Sequence, residues 1–125
     1  MIALIETLLL AGGPSEVDRL FAVLVRGPSM VPALRDGDAL LVWRTGRVRA
    51  GQVVVVRFPG DPGLAVKRAV RPVDGGWWVL GDNPYGSTDS RELGPAEVVG
   101  RVVLRYWPRL SRVRSRPASR GRPPG

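Results

Sequence analysis

Short β-branched runs separated by turns of glycine and proline recur along this chain and leave little room for long helices. The clearest run is Gln52–Phe58 (QVVVVRF), which Gly51 and Pro59 bound on either side. β-branched residues favour pleated strands, whereas glycine and proline favour the turns between them. Further runs of this kind are Arg19–Arg26, Ala39–Trp43, Leu64–Val70, Gly76–Leu80 and Val98–Tyr106. Five or more short strands predict a mainly β fold, as an antiparallel coiled sheet or half-barrel.

The N-terminal region carries two segments that could be helical instead. Ile2–Ala11 is interpreted as a short helix, because it is well below the roughly 20 apolar residues that span a bilayer and lacks the basic start of a signal peptide. The sequence Ser15–Asp18 is typical of a capping box, so a helix from Ser15 to about Leu24 competes with the strand Arg19–Arg26. We therefore expect a soluble, cytoplasmic protein without a transmembrane segment; the alternative is peripheral membrane contact through Ile2–Ala11.

The chain has 125 residues, 44% of them hydrophobic, which suits one globular domain. We assign residues 1–14 to an N-terminal segment, 15–108 to the domain and 109–125 to a tail. The tail holds six arginines and no acidic residue, so it supplies most of the net charge of +8. Its Arg, Ser, Pro and Gly content predicts disorder. It lacks interleaved aromatic residues, and no nucleic-acid partner is expected.

The chain contains neither histidine nor cysteine, which restricts the chemistry open to it. A Ser-His-Asp triad, a Cys-His dyad, a disulfide framework and nearly all zinc sites are excluded. Any catalysis must therefore use Ser, Lys, Asp, Glu, Tyr or backbone groups. The sequence predicts no metal site and no cofactor.

Lys67 is the only lysine of the chain, against eighteen arginines. A buried lysine can lose its proton and act as a base, whereas arginine stays charged. Lys67 lies in the apolar run Leu64–Val70, where strict alternation places its side chain on the same face as Ala65. If that face is buried, desolvation lowers the pKa of the amine. A single lysine could also reflect codon usage, or an exposed residue that protects an edge strand.

Ser29 lies in a loop whose backbone is tightly restricted. Gly27 and Pro28 precede it, and Pro32 follows three residues later. Such a loop suits a nucleophile whose hydroxyl and amide N–H face a bound carbonyl, although an isolated serine there is ordinarily a turn residue. Met30 and Leu34 are interpreted as packing residues or as walls of a substrate pocket.

A second serine-bearing stretch follows Lys67 in the chain. Gly81–Pro84 predicts a turn, and Ser87–Arg91 comes directly after it. In that stretch Asp89 and Arg91 could pair, and a serine hydroxyl could bind the lysine nitrogen. A serine nucleophile with a lysine base is a known arrangement for cutting amide bonds, so the combination indicates a peptidase.

In this order, the motifs resemble the successive boxes of type I signal peptidases across roughly residues 25–107. Within that superfamily, the chain is most similar to the nickel-type superoxide dismutase maturation proteases. The similarity lies in the stretch Gly75–Tyr85, in the small size and in the missing membrane anchor. The resemblance implies a signal peptidase-like fold and an enzyme that removes the leader of a precursor protein. The motifs that carry it are Ser29–Pro32, Gly37-Asp38, Lys67-Arg68, Gly81–Asn83, Ser87–Arg91 and Gly100-Arg101.

The resemblance also implies a role for individual residues. Ser29 would be the nucleophile, Lys67 the general base, and Ser87 the residue that orients the lysine. The implied supporting residues are Asp82 and Asn83, in the turn that shapes the site, and Asp89 and Arg91, which form an ion pair. Those around the oxyanion and substrate pocket are Gly27, Pro28, Met30 and Leu34.

Two positions depart from the pattern of the signal peptidases. Gly27 stands where some of them carry a hydroxyl residue that donates to the oxyanion, so the oxyanion hole would depend on the Ser29 N–H and a neighbour that the sequence does not reveal. Ala33 replaces the usual serine or threonine after Pro32, which indicates altered packing.

Three alternatives remain open from the sequence. The first is a membrane-associated signal peptidase that processes exported preproteins. The second is a self-cleaving repressor, which shares a Ser-Lys site but needs a DNA-binding domain and a cleavage loop that are not visible here. The third is a non-catalytic binding module whose basic tail contacts nucleic acid.

Overall fold

The computed structural model describes residues 2–7 and 19–117, and within these ranges most of the secondary structure is strand. The single short helix among the described residues, α1, covers Ser90–Leu93. The predicted mainly β class is therefore confirmed. The strands are β1 Ile2–Thr7, β2 Leu20–Val25, β3 Ala39–Arg44, β4 Val53–Arg57, β5 Ala65–Val73, β6 Gly76–Leu80, β7 Glu97–Trp107 and β8 Ser111–Arg112.

The strands form one antiparallel sheet in the order β1-β2-β3-β7-β4-β5-β6, with β8 paired to β7. The long strand β7 pairs with both β3 and β4 and joins the two halves of the sheet. Its register shifts against β3 between Leu41 and Val42, and against β4 between Val55 and Val56. Such irregularities increase the local bend and twist of a sheet, and here the sheet curls into the predicted half-barrel.

The core consists of two clusters on the two faces of β4. Val53 and Val55 belong to the first cluster, with Phe21 and Leu40, and Val54 and Val56 belong to the second. A strand buried on both faces needs apolar residues at every position, which explains the uninterrupted valine run. Each fully buried valine contributes about 1.5–3 kcal/mol, so β4 is the anchor of the fold.

Two N-terminal expectations can be compared with this sheet. Ile2–Thr7 is a strand and not the predicted helix: its backbone pairs with β2 from Ile2 opposite Val25 to Thr7 opposite Phe21. The open edge of β2 offers hydrogen-bond partners that the local pattern does not reveal. Residues 8–18, which include the rest of that predicted helix and the capping box, lie outside the described residues. β2 itself confirms the strand interpretation of Arg19–Arg26 against the competing helix.

The predicted disorder of the C-terminal tail is wrong for residues 109–117. β8 pairs with β7, and the Arg116 amide donates to the Gly51 carbonyl at 2.9 Å. The charge of this segment suggested solvation, but part of it lies against a buried carboxylate. Residues 118–125 are outside the described part of the chain. No helix among the described residues is long and apolar enough to cross a membrane.

Candidate active site

The loop that carries Ser29 begins directly after β2. Gly27 adopts a φ of 87°, in the left-handed region that favours glycine, and its amide donates to Asp36 Oδ1 at 2.8 Å. This bond fixes the entry to the loop. It also occupies the Gly27 N–H, which therefore does not serve as a second donor toward an oxyanion at Ser29.

The exit from the loop is anchored in the core. Met30 and Leu34 are each 1% exposed and join the first core cluster, and the Leu34 amide donates to the Met30 carbonyl at 2.9 Å. The structure thus places these two residues in the packing role and not on the cleft beside Ser29. Buried side chains on one side and a glycine turn on the other hold Ser29 at the surface of the sheet.

Ser29 itself is half-buried and has free hydrogen-bonding capacity. Within the residues that the structure describes, neither its hydroxyl nor its amide N–H makes a hydrogen bond. Its carbonyl accepts from the Asn83 amide at 2.8 Å. The hydroxyl is therefore available to attack, and the amide is available to donate to an oxyanion.

Lys67 lies on β5, a strand between β4 and β6 in the sheet, and is 4% exposed. The alternative of an exposed lysine on an edge strand is therefore wrong. Its Nζ donates to Ser87 Oγ at 3.5 Å. Desolvation by burial lowers the pKa of Lys67; Asp89 acts to raise it, and Arg91 lowers it further. The environment thus shifts the amine toward its neutral form, which can accept a proton.

Asp89 is the fixed charge behind the lysine and is 0% exposed. Its Oδ2 accepts from Ser87 Oγ at 2.9 Å, from the Gly81 amide at 2.9 Å and from Arg91 Nη2 at 2.9 Å. Burial acts to raise the pKa of Asp89, but the hydrogen bonds from Arg91, Gly81 and Ser87 outweigh it, so the pKa lies below its usual range. The ionised carboxylate orients the Ser87 hydroxyl, whose oxygen lone pairs then face the lysine amine.

The Gly81–Asn83 turn connects the two halves of the site. Asn83 binds the Ser29 loop twice, through its amide to the Ser29 carbonyl and through Nδ2 to the Pro28 carbonyl at 3.0 Å. A Cβ at Gly81 would collide with the Ser87 hydroxyl and would lie 2.7 Å from the Ser29 carbonyl oxygen. Only glycine fits where the two serine-bearing segments come this close together.

Arg68, next to Lys67, is a supporting residue that sequence reasoning missed. It is 1% exposed and binds Asp82 through two bonds, at 3.1 Å from Nε and 2.6 Å from Nη2. Removing one partner of such a buried pair costs about 3–5 kcal/mol. The adjacent Lys67-Arg68 motif and the carboxylate of Asp82 were the available signals. Ser90 was also missed; its hydroxyl accepts from the Val79 amide at 2.9 Å and fixes α1 to β6.

Ser29 and Lys67 line the same cleft, which has a volume of about 340 Å³. Pro28, Leu64 and Ala65 form apolar parts of its wall, while Gly27, Met30 and Leu34 of the predicted pocket do not line it. A larger cavity of about 530 Å³ is lined by Arg57, Pro59 and Glu97, among others, but neither Ser29 nor Lys67 lines it. The cleft that joins the serine and the lysine is therefore the candidate active site.

Comparison with known proteins agrees with this geometry. Residues 2–103 match the family described as Peptidase S24-like. A mitochondrial ATP-independent inner membrane protease subunit 1a of Arabidopsis thaliana is 34% identical over 115 residues, covering 67% of this chain and 68% of that protein. The mitochondrial inner membrane protease subunit 1 of Xenopus tropicalis is 31% identical, covering 69% and 68%, and that of Homo sapiens is 26% identical, covering 69% of each. The resemblance to the signal peptidase-like superfamily is thereby confirmed, and the chain belongs to the Peptidase S24-like family of proteases.

Proposed function

We propose that this chain is a serine endopeptidase in which Ser29 is the nucleophile and Lys67 the general base. The observation that carries the proposal is that a buried lysine, whose pKa desolvation lowers, lines the same cleft as Ser29. Among the described residues, the Ser29 hydroxyl makes no hydrogen bond. Asn83 supports the loop of the serine, and Ser87 supports the lysine.

In the proposed mechanism, neutral Lys67 accepts the Ser29 hydroxyl proton while the oxygen attacks the scissile carbonyl. The Ser29 amide N–H donates to the developing oxyanion, an interaction worth about 3–4 kcal/mol per donor in comparable sites. The lysine ammonium then protonates the departing amine as the C–N bond breaks. In the second half, the same lysine takes a proton from a water molecule, whose oxygen attacks the acyl carbonyl. As the bond between this carbon and Ser29 Oγ breaks, the lysine returns the proton to Oγ, which restores the hydroxyl and the neutral amine.

Ser87 and Asp89 act on the lysine in this mechanism and do not contact the substrate. The Asp89 carboxylate accepts from the Ser87 hydroxyl, so the Ser87 oxygen accepts one N–H of the amine. This leaves the nitrogen lone pair directed away from Ser87 and available to Ser29. Because Asp89 also acts to raise the pKa of Lys67, it partly offsets the desolvation that lowers it.

The proposed substrate is the leader of a precursor protein, bound in extended form beside β5. The walls around Leu64 and Ala65 are apolar, and the cleft is small, which favours small residues before the cut. Our first candidate is the precursor of a nickel-type superoxide dismutase, cut in the cytoplasm. The similarity of Gly75–Tyr85 to the maturation proteases of that enzyme supports it.

The second candidate is a signal-peptidase-like enzyme that cuts exported precursors at a membrane. The relatives favour it, because each of those described above is named as an inner membrane protease subunit. In this case the chain would associate with the membrane through contacts other than a spanning helix of the described residues.

Incubation with both precursor types separates the candidates. The purified chain is mixed with a nickel superoxide dismutase precursor, and separately with an exported preprotein whose leader ends in small residues. Intact mass spectrometry then gives the cleavage position, and each precursor without the chain is the control. We expect a single cut that frees the dismutase N-terminus. Cleavage of the preprotein alone would favour the second candidate, and two intact precursors would contradict the peptidase proposal for both classes.

A further inference from the structure

The C-terminal segment Arg114–Arg116 lies against the turn that joins the two halves of the active site. We propose that Arg116 is a positioning residue, which keeps Ser29 and the support of Lys67 in register by fixing the carboxylate of Asp82. This inference rests on the proposed function of the site. We call residues 114–116 the clasp.

The clasp is seated by backbone contacts as well as by charge. The Arg116 amide donates to the Gly51 carbonyl at 2.9 Å, and the Arg114 carbonyl accepts from Arg68 Nη1 at 2.9 Å. Gly51 has a φ of 94°, and a Cβ there would lie 2.9 Å from the Arg116 carbonyl oxygen. Because only a glycine allows this approach, the clasp occupies a defined place on the domain.

The side chain of Arg116 completes a buried ionic group. Its Nη2 lies 2.8 Å from Asp82 Oδ2, the same oxygen that accepts from Arg68 Nη2 at 2.6 Å. The Asp82 side chain is 2% exposed, and that of Arg116 is 43% exposed. Arg116 therefore covers the solvent side of a carboxylate whose inner side is already paired. Without it, Asp82 Oδ2 keeps one partner and gains access to water.

Asp82 connects the clasp to Ser29 and to the support of Lys67 through its two neighbours in the chain. Its neighbour Asn83 donates to the Ser29 carbonyl, and its other neighbour Gly81 donates to Asp89, which orients Ser87. A shift of the Asp82 backbone would thus displace the nucleophile and the support of the base together. Arg116 itself does not line the cleft of Ser29 and Lys67. Its removal should therefore lower kcat and leave KM unchanged.

The expected loss is moderate, because the Arg116 side chain is partly exposed and Arg68 still holds Asp82. We expect Arg116→Ala to lower kcat about twofold to fivefold, the range of a partly exposed ion pair. Arg116→Lys keeps the charge and should restore most of the lost kcat. In an Asp82→Asn background, Arg116→Ala should have no further effect, because the residue acts through that carboxylate.

The test uses full-length variants with the precursor that the wild-type chain cleaves. The matched control is Arg112→Ala, which removes the same charge from the exposed position of β8 outside the clasp. Thermal unfolding shows that each variant is folded at the assay temperature. A selective loss of kcat in Arg116→Ala, restored by Arg116→Lys, supports the proposal. A wild-type kcat in Arg116→Ala, a loss equal to that of Arg112→Ala, a change in KM alone, or an undiminished effect in the Asp82→Asn background would overturn it. Because Ser29→Ala is assayed in parallel, failure of the clasp is distinguished from failure of the proposed function.

Discussion

Lys67→Arg should reduce cleavage by about 10² to 10⁴-fold, the contribution of a positioned general base. The guanidinium keeps a positive charge and donors, but it has no accessible neutral form near neutral pH and cannot take the Ser29 proton. The measurement is kcat/KM for leader cleavage, together with circular dichroism and thermal unfolding of the variant. An arginine variant that retains wild-type activity would contradict the assignment of Lys67 as the base.

Lys67→Met is the companion variant, because a permanent charge in a residue that is 4% exposed could itself disturb the fold. Methionine has a similar length and no charge, so it removes the base while filling the same space. It should be folded and as inactive as the arginine variant. Substantial activity in a folded methionine variant would contradict the role of the amine independently of any change in packing.

Ser29→Ala should reduce cleavage by about 10⁴ to 10⁶-fold, because without the nucleophile no acyl-enzyme can form. The hydroxyl has no hydrogen bond among the described residues, so the free energy of unfolding should change by less than about 0.5 kcal/mol. The assay is leader cleavage, with mass spectrometry of an acyl-enzyme trapped at low pH in the wild-type chain.

Ser111→Ala is the matched control for the nucleophile, since Ser111 lies on β8 and does not line the cleft. It should cleave at the wild-type rate. Equal activity in the two alanine variants, or an acyl adduct on any residue other than Ser29, would show that the nucleophile lies elsewhere.

The central strands and the burial of Lys67 could be predicted from local sequence. The run of β-branched valines predicts the strand β4, and the structure buries both of its faces. The single lysine within an apolar run predicts a buried amine, and Lys67 is buried. The turn Gly81–Asn83 was expected to shape the site, and Asn83 contacts the loop of Ser29 through two hydrogen bonds.

The remaining features depend on partners far away in the chain. Ile2–Thr7 becomes a strand because β2 has a free edge, which no local pattern reveals. Arg116 is 34 residues from Asp82. It belongs to the segment 109–125, whose composition is that of a solvated tail. Arg68 follows Lys67 on β5, and the carboxylate that it binds in the interior, Asp82, is 14 residues away. Composition gives the charge of such residues but not the carboxylate that they bind.

The pKa of Lys67 decides whether this residue can act as the base. Because the chain has a single lysine, labelling with lysine enriched in ¹⁵N at Nζ gives one amine signal, which NMR can follow as the pH is raised. We predict a titration midpoint clearly below the usual value of 10.5, since burial disfavours the ammonium form, with cleavage increasing as the amine loses its proton. A midpoint at or above 10.5, with activity that does not follow this titration, would contradict Lys67 as the base.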